Sequence, residues 1–188
     1  MPSRQNKEGI HILALGETPA GAEERAGAAV SSTFSLKCAI LVPEERPDFS
    51  RDDLREQYRA WQVLDYLDER FSEGERMVLA ITPVDLFIPA LTFVFGEAHL
   101  AGSSGVISTF RLREEYYGRR PDRGLLLSRV EKTAIHEVGH LLGLTHCLDR
   151  NCVMHASNSL ADTDVKSTSL CPHCHARWEH GGNHRPPG

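Results

Sequence analysis

The chain has 188 residues, of which 40% are hydrophobic, and this length and composition suit one domain with a sizeable core. Its 21 basic and 26 acidic residues give a formal net charge of −5, which offers no footprint for nucleic acid. No apolar run is long enough to cross a membrane, and the polar residues 1–8 lack the apolar core of a signal peptide. We therefore expect a monomeric, cytoplasmic protein without nucleic-acid or membrane partners, in a reducing compartment where thiols bind zinc more readily than they cross-link.

Apolar runs and helical spacing predict the elements of the first third of the chain. Residues 9–16 and 36–42 contain short apolar runs that predict two buried strands, and the Ala/Glu-rich residues 17–31 favour a partly helical segment between them. Ser50, with Asp53 in a box-like position, is expected to cap a helix. The core positions of this helix follow at helical spacing: Leu54, Tyr58, Trp61, Leu64 and Leu67.

Three further strands and a longer helix are predicted in the centre of the chain. The strands fall at residues 77–82, 90–97 and 105–112, with a loop rich in glycine and serine between the last two. Ser128 and Glu131 form a capping-box pattern, so we expect a helix that begins near residue 129 and ends at Leu142. Short loops follow, with a last short helix or turn capped by Asp162, Thr163 and Asp164.

The most informative motif is an H-E-x-x-H-x-x-G-x-x-H string that begins at His136. Because residues four apart share a helix face, His136 and His140 can hold one metal ion between them. Gly143 permits the left-handed turn that ends a helix, which lets His146 arrive as a third ligand. Three imidazoles leave the fourth position of a tetrahedral zinc open to water, and Glu137 lies where a carboxylate can take a proton from that water. A bare H-E-x-x-H also occurs in helices without metal, but the glycine and third histidine in register favour a zinc peptidase.

A second constellation consists of four cysteines in two close pairs, Cys147 with Cys152 and Cys171 with Cys174. This spacing matches the closed tetrahedral site of a structural zinc, whose binding would contribute directly to folding. Two disulfides and a redox-active C-x-x-C are the alternatives. The remaining cysteine, Cys38, lies in an apolar run and is most simply a small core residue.

Met154 lies shortly after the third histidine, which suggests a turn that packs a thioether beneath the imidazoles. Taken alone, a single methionine is more often an ordinary core residue. We do not expect the adjacent His155 to be a ligand. Four histidines near the C-terminus are possible substitutes for one cysteine ligand: His173, His175, His180 and His184.

Together these features resemble the archaemetzincins, a branch of the metzincin zinc metallopeptidases. The likeness includes the cysteine directly after the third histidine, the C-V-M of residues 152–154, the later C-x-x-C, and blocks at residues 53–58, 93–98 and 157–164. It extends over residues 50–178, whereas the Ala/Gly/Glu-rich stretch near the N-terminus has no clear match.

The resemblance implies two zinc ions per chain, with Glu137 as general base and a Met-turn at Met154. The implied ligands are His136, His140 and His146 for the catalytic ion, and Cys147, Cys152, Cys171 and Cys174 for the structural ion.

The implied fold is α/β, of the α+β zincin type. We expect a mixed, mostly parallel five-stranded sheet with an antiparallel edge strand, packed with an active-site helix and a metal-pinned C-terminal subdomain. The edge strand is placed within residues 91–101, where an extended substrate would add as a further strand. Gly96 there either allows close backbone approach or marks a bulge. One domain is expected over residues 1–178, divided into residues 9–142 and 143–178, with a disordered tail at residues 179–188.

The sequence thus predicts a zinc-dependent metallopeptidase that hydrolyses peptide bonds in peptide or protein substrates. One alternative is a zinc-stabilised peptide-binding protein with little or no general proteolytic activity. The other is a small redox or zinc-ribbon-like module built on the cysteines, which would not need the three histidines. Neither the preferred substrate nor the choice between endo- and exopeptidase can be read from the motifs.

Overall fold

A five-stranded sheet forms the centre of the molecule, described here by a computed structural model over residues 9–43, 47–71 and 76–180. Numbered in chain order, its strands are β1 (Gly9–Ala14), β2 (Lys37–Leu41), β5 (Met77–Thr82), β7 (Gly96–Ala98) and β8 (Ser104–Ser108). They are arranged β2-β1-β5-β8-β7, and all neighbours are parallel except β7, which is antiparallel to β8. The predicted mostly parallel sheet with an antiparallel edge strand is therefore confirmed.

The inner strands β5 and β8 are buried because helices cover both faces of the sheet. All six residues of β5 are buried, as in parallel strands covered on both sides. Helices α1 (Ala22–Phe34) and α3 (Arg123–Leu141) pack on one face, toward which Leu79 points, whereas α2 (Ala60–Phe71) packs on the other, toward Val78. The predicted α/β architecture is confirmed. Helix α3 lies beside the edge strand β7.

The helix expected after a cap at Ser50 begins nine residues later than predicted, since α2 starts at Ala60. The intervening residues form β3 (Arg51–Asp52) and β4 (Gln57–Arg59), which make a small second sheet with β6 (Leu86–Phe87). This segment pairs with β6 and does not form the helix that its spacing indicates. The Tyr58 amide donates to the carbonyl of Asp85, the residue before β6, at 2.9 Å.

The predicted core positions of this segment are confirmed only within α2. Leu64 and Leu67 are buried, at 2% and 0% exposure. Leu54 is 99% exposed and Trp61 is 47% exposed, so neither belongs to the core. Tyr58 lies in β4 and is only partly buried against the cluster around α2.

Two predicted strands are shorter than expected. Of residues 90–97 only the last two belong to β7, and Val94 forms an isolated bridge with Leu86 instead. The strand predicted to reach Leu112 ends at Ser108, whose hydroxyl accepts from the Phe110 amide at 3.2 Å. Two short 3-10 helices follow, at Phe110–Leu112 and Glu114–Tyr117.

Helix α3 begins six residues before the predicted start. Asp122 is its N-cap and accepts from the Leu125 amide at 2.9 Å, whereas the predicted cap, Ser128, lies inside the helix. A side-chain cap works wherever the first unpaired amides lie, and the aspartate supplies it first. The C-terminal end agrees with expectation, because Leu142 is the C-cap and Gly143 follows with φ of 87°.

Beyond Gly143 the chain forms loops and two short helices. The predicted short helix is α4 (Leu160–Val165), but its N-cap is Ser159, which forms a capping box with Asp162. Helix α5 (Pro172–Glu179) was not predicted, although a proline at its first position is a usual start signal. It includes the first residue of the expected tail, and residues 181–188 of that tail lie outside the described residues.

A buried arginine joins α3 to the C-terminal loops. Arg129 is 1% exposed, and its Nε and Nη2 donate to the two carboxylate oxygens of Asp164 at 2.7 and 2.8 Å. Nη2 also pairs with Glu114 at 2.7 Å, and Nη1 donates to the Leu112 carbonyl at 2.8 Å. The charge and donors of this arginine are therefore well satisfied, which holds α4 at a defined position along α3.

In the described part of the chain, no helix combines the length and apolarity needed to cross a bilayer.

Candidate active site and metal centres

Three histidines converge at the end of α3, as the motif predicts. One ring nitrogen from each of His136, His140 and His146 lies within 4.8 Å of the others, and the Nε2 atoms of His136 and His140 are 3.2 Å apart. The helix ends in a Schellman motif, because the Gly143 amide donates to the His140 carbonyl and the Leu144 amide to the Gly139 carbonyl, each at 2.9 Å. This turn reverses the chain and carries His146 back to the other two rings.

Backbone carbonyls orient the two helical histidines. His136 Nδ1–H donates to the Val153 carbonyl and His140 Nδ1–H to the Leu144 carbonyl, both at 2.8 Å. These bonds leave both Nε2 atoms unprotonated and directed at the shared centre, as metal-ligating imidazoles require.

The histidines are held in the neutral form that binds metal. Burial lowers the pKa of His136 well below its usual value, and the Lys166 ammonium adds to this effect. Burial also lowers the pKa of His140 to about 4 and the pKa of His146 below its ordinary value. The set therefore fits a divalent ion such as zinc, which binds neutral imidazoles with nitrogens close together.

Glu137 lies beside this triad and is 5% exposed. Burial raises the pKa of its carboxyl to about 8, with the charge of Glu97 contributing to the rise. The space for this side chain depends on Gly96 in β7, because a Cβ at Gly96 would lie 2.5 Å from Glu137 Oε1. Gly96 thus packs closely against the Glu137 side chain, whereas the close approach of a substrate backbone at this position stays a prediction.

Met154 lies directly under α3 and is 0% exposed. Its Sδ occupies the space where a Cβ at Gly139 would lie, and its Cε is 3.0 Å from the same point. The glycine inside the H-E-x-x-H string thus has a packing reason that the motif alone did not reveal: it admits the thioether against the helix between the two histidines.

The four cysteines form a second cluster. The Sγ atoms of Cys147, Cys152, Cys171 and Cys174 all lie within 4.8 Å of one another, and Cys147 and Cys171 are 3.7 Å apart. The Cys171 amide points at the Cys152 sulfur at 3.3 Å, and the Cys174 amide points at the Cys171 sulfur at 3.5 Å. Such N–H···S contacts stabilise thiolates, and none of these cysteines is in a disulfide.

The electrostatics of this cluster suit a cation. Burial raises the pKa of Cys152 to about 11 and raises that of Cys174 above the usual thiol range. The pKa of Cys171 is lowered despite its burial, chiefly by the amide of Cys174. A divalent cation would supply the positive charge that four adjacent thiolates require, which is the donor set of a closed zinc site.

The remaining cysteine and the other described histidines lie outside both clusters. Cys38 is half-buried in β2 and packs against the core. His155 donates from Nδ1 to the Cys147 carbonyl at 2.9 Å and belongs to neither cluster. Among the described residues, the C-terminal histidines His173, His175 and His180 join neither group; His184 lies outside the description.

A cleft of about 540 Å³ runs past the histidines. The edge strand and the segment before it line the cleft at residues 91–98, which agrees with the predicted placement of the edge. The lining also includes Thr133 of α3, residues 156–158 and Lys166. Sequence reasoning missed Lys166, because a lysine in a short polar loop is normally solvated, whereas here it is 3% exposed.

Two histidines on a helix and a third after the turn that ends it, beside the edge strand of this sheet, are the arrangement of the zinc-dependent metallopeptidases. Residues 45–180 match the model of peptidase family M54. The chain is 38% identical to the archaemetzincin of Haloarcula marismortui over 168 residues, which cover 88% of this chain and 96% of the relative. This chain therefore belongs to peptidase family M54, the archaemetzincins.

Solved structures agree with this assignment. The archaemetzincin of Methanopyrus kandleri is 34% identical and superposes with a TM-score of 0.82. The superposition covers 96% of this chain and 98% of the relative. A zinc-dependent peptidase from Methanocorpusculum labreanum is 27% identical and superposes with a TM-score of 0.81. The superposition covers 90% of this chain and 100% of the relative. The predicted enzyme class, a zinc-dependent metallopeptidase, is confirmed.

Proposed function

We propose that this protein hydrolyses peptide bonds at a zinc ion held by His136, His140 and His146, with Glu137 as general base. The observation that carries the proposal is the convergence of three neutral imidazoles on one point of a cleft, beside a buried carboxyl from the same helix. The zinc, when bound, supplies Lewis acidity toward water and the scissile carbonyl.

Glu137 is suited to carry a proton in both directions. Its buried carboxyl has a pKa near 8, and a group with a pKa close to the working pH can accept a proton and return it. In the proposed reaction it takes the proton of the attacking water and passes it to the amine of the leaving peptide. Gly96 leaves its side chain room to lie between the edge strand and α3.

The outer edge of β7 supports the binding of an extended peptide. β7 is the last strand of the described sheet and pairs on one side only, with β8. The residues of β7 line the same cleft as the three histidines. A substrate added there as a further strand gains main-chain hydrogen bonds, which need little sequence preference.

We propose that the four cysteines bind a second, structural zinc, which gives two ions per chain. The ion would join Cys147 and Cys152, which follow the catalytic helix, to Cys171 and Cys174 at the start of α5. Residues 143–178 would then form a metal-pinned C-terminal subdomain of a single peptidase domain, with Met154 in its Met-turn. A reducing cytoplasm suits these thiols. We further propose a monomer that acts on peptides or proteins without nucleic-acid or membrane partners.

A diverse peptide mixture, analysed by mass spectrometry, tests the activity. New termini should appear with the zinc-loaded wild type and not with Glu137→Gln, while both proteins bind the same amount of zinc. If neither protein produces termini but both retain peptides, the alternative of a peptide-binding protein would replace the peptidase. Turnover by Glu137→Gln at the wild-type rate would remove Glu137 from the role of base.

Metal counts separate the two sites. His140→Ala should reduce bound zinc from two ions to one and leave the thermal unfolding temperature close to that of the wild type. Cys171→Ser should lose the other ion and destabilise the fold. Two ions remaining in either variant would contradict the assigned ligands.

A further inference from the structure

The cleft contains a buried lysine beside the catalytic residues. Lys166 follows α4, is 3% exposed, and lines the cleft together with Thr133 and Ser157. Its Nζ donates to the His155 carbonyl at 3.2 Å and lies 3.5 Å from His136 Nδ1. A charged group in this position is unusual, because lysine is rarely buried unless it has a partner.

The described residues provide hydrogen-bond acceptors for only some of the N–H donors of the Lys166 ammonium group. A lysine has three N–H donors, and His136 Nδ1 already directs its own proton at the Val153 carbonyl, so it cannot accept another. Within the described part of the chain, the hydrogen-bond acceptor of Lys166 is therefore the His155 carbonyl. No carboxylate oxygen of the described residues lies within 4.0 Å of Lys166 Nζ, the limit for an ion pair. The charge of Glu137 acts on it from a greater distance.

A second polar group that lines the cleft has no hydrogen-bond partner among the described residues. Ser157 Oγ is shielded from solvent and makes no hydrogen bond to any described residue. Ser157 and Lys166 line the same cleft as Glu137 and Thr133. An ammonium and a hydroxyl with unused donors form a surface for a carboxylate, which accepts several hydrogen bonds and cancels the buried charge.

The position of this surface indicates which part of a substrate meets it. This step depends on the proposed function, in which Glu137 returns a proton to the leaving amine. The residue that carries that amine follows the scissile bond and must lie on the Glu137 side of the site. Thr133 lies one helical turn before Glu137 in α3, and the charge of Lys166 acts on Glu137. On this basis we assign the pocket for that side chain to the part of the cleft lined by Thr133, Ser157 and Lys166.

We propose that Lys166 determines specificity by binding a substrate carboxylate directly after the scissile bond. The carboxylate can come from an aspartate or glutamate side chain, or from the C-terminus of a substrate with one residue left after the bond. Both sources share the same chemistry, and they differ in whether cleavage occurs inside a chain or at its end.

Matched peptides test this preference in the zinc-loaded enzyme. Two peptides that differ only by glutamate or glutamine after the scissile bond should differ in kcat/KM by about tenfold or more, the usual effect of a charge-assisted hydrogen bond. In Lys166→Met the ratio should fall to about one. Lys132→Met is the control, because the Lys132 ammonium bonds the carbonyls of Thr163 and Asp164 and does not line the cleft. It should keep the wild-type ratio.

A second pair of peptides distinguishes the two sources. Peptides with a single alanine after the scissile bond, one with a free C-terminus and one amidated, report on the terminal carboxylate. A preference for the free acid indicates the chain end as the ligand, and a preference for glutamate over glutamine indicates the side chain. Equal rates within both pairs in the wild type would overturn the proposal, whatever the folding of the variants.

Binding separates this proposal from the proposed function. Peptide hydroxamates carrying a glutamate or a glutamine side chain can be titrated into the zinc-loaded protein by calorimetry. A tighter glutamate compound without any peptide cleavage would support the role of Lys166 and reject the peptidase. Cleavage without a carboxylate preference would do the reverse. A preference that survives in Lys166→Met would also overturn the proposal.

Discussion

Replacing Gly96 by alanine should impair catalysis while leaving the metal in place. A Cβ at this position would lie 2.5 Å from Oε1, 2.7 Å from Cδ and 2.8 Å from Cγ of Glu137. Unbonded carbon atoms prefer separations of about 3.5–4.0 Å, so the glutamate side chain must shift by roughly 1 Å. The backbone itself accepts alanine, because Gly96 is not among the residues with positive φ.

The size of the effect follows from that displacement. A misplacement of about 1 Å in a catalytic group costs on the order of 10²-fold in rate. We therefore expect Gly96→Ala to lower kcat about 100-fold. Bound zinc should be unchanged, since the three atoms nearest the new Cβ all belong to Glu137.

The measurements are kcat and KM on a cleaved peptide, zinc content, and thermal unfolding. Gly105→Ala in the neighbouring strand β8 is the matched control, because its Cβ would meet Leu79 Cδ1 at 3.2 Å and Ala98 Cβ at 3.3 Å. It should affect stability without the same loss of kcat. Wild-type turnover in Gly96→Ala, with zinc bound, would show that the observed place of Glu137 is not the one used in catalysis.

Three other changes test packing, the buried arginine and the metal sites. Gly139→Ala should gain about 1 kcal/mol in helix propensity but lose about 1–3 kcal/mol by overpacking against Met154, so thermal unfolding should occur at lower temperature. Asp164→Asn should lower the free energy of unfolding in urea by about 1–3 kcal/mol, because Arg129 loses one of its two charged partners. Chelation of zinc should lower the unfolding temperature and make four more thiols reactive toward a thiol reagent.

Each of these outcomes can fail in a recognisable way. A more stable Gly139→Ala would mean that the methionine moves aside at little cost. An unchanged Asp164→Asn would mean that Glu114 alone satisfies the buried guanidinium. Thiols equally reactive before and after chelation would show that the cysteine cluster holds no metal.

The strands of the sheet were easier to predict from the sequence than the segments between them. A run such as Met77–Thr82 is buried on both faces, so its apolar character is itself the signal. The segment from Ser50 to Tyr58 has helical spacing, but the backbone of Tyr58 pairs with β6. That partner is distant in the chain, and local periodicity contains no information about it.

The sequence by itself determined the position of the histidine triad. His136 and His140 share a helix face because of their spacing, and Gly143 permits the turn that returns His146, so this geometry is local. The cysteine cluster was equally apparent from its close pairs.

Only the tertiary structure decided what surrounds these ligands. The room for Glu137 beside Gly96, the place of Met154 under Gly139, and the burial of Lys166 in the cleft all join segments that are distant in the chain. Such contacts depend on how the sheet, α3 and the C-terminal loops pack together. The catalytic chemistry could therefore be predicted from a short motif. The shape and charge of the cleft around that motif depend on tertiary packing and could not.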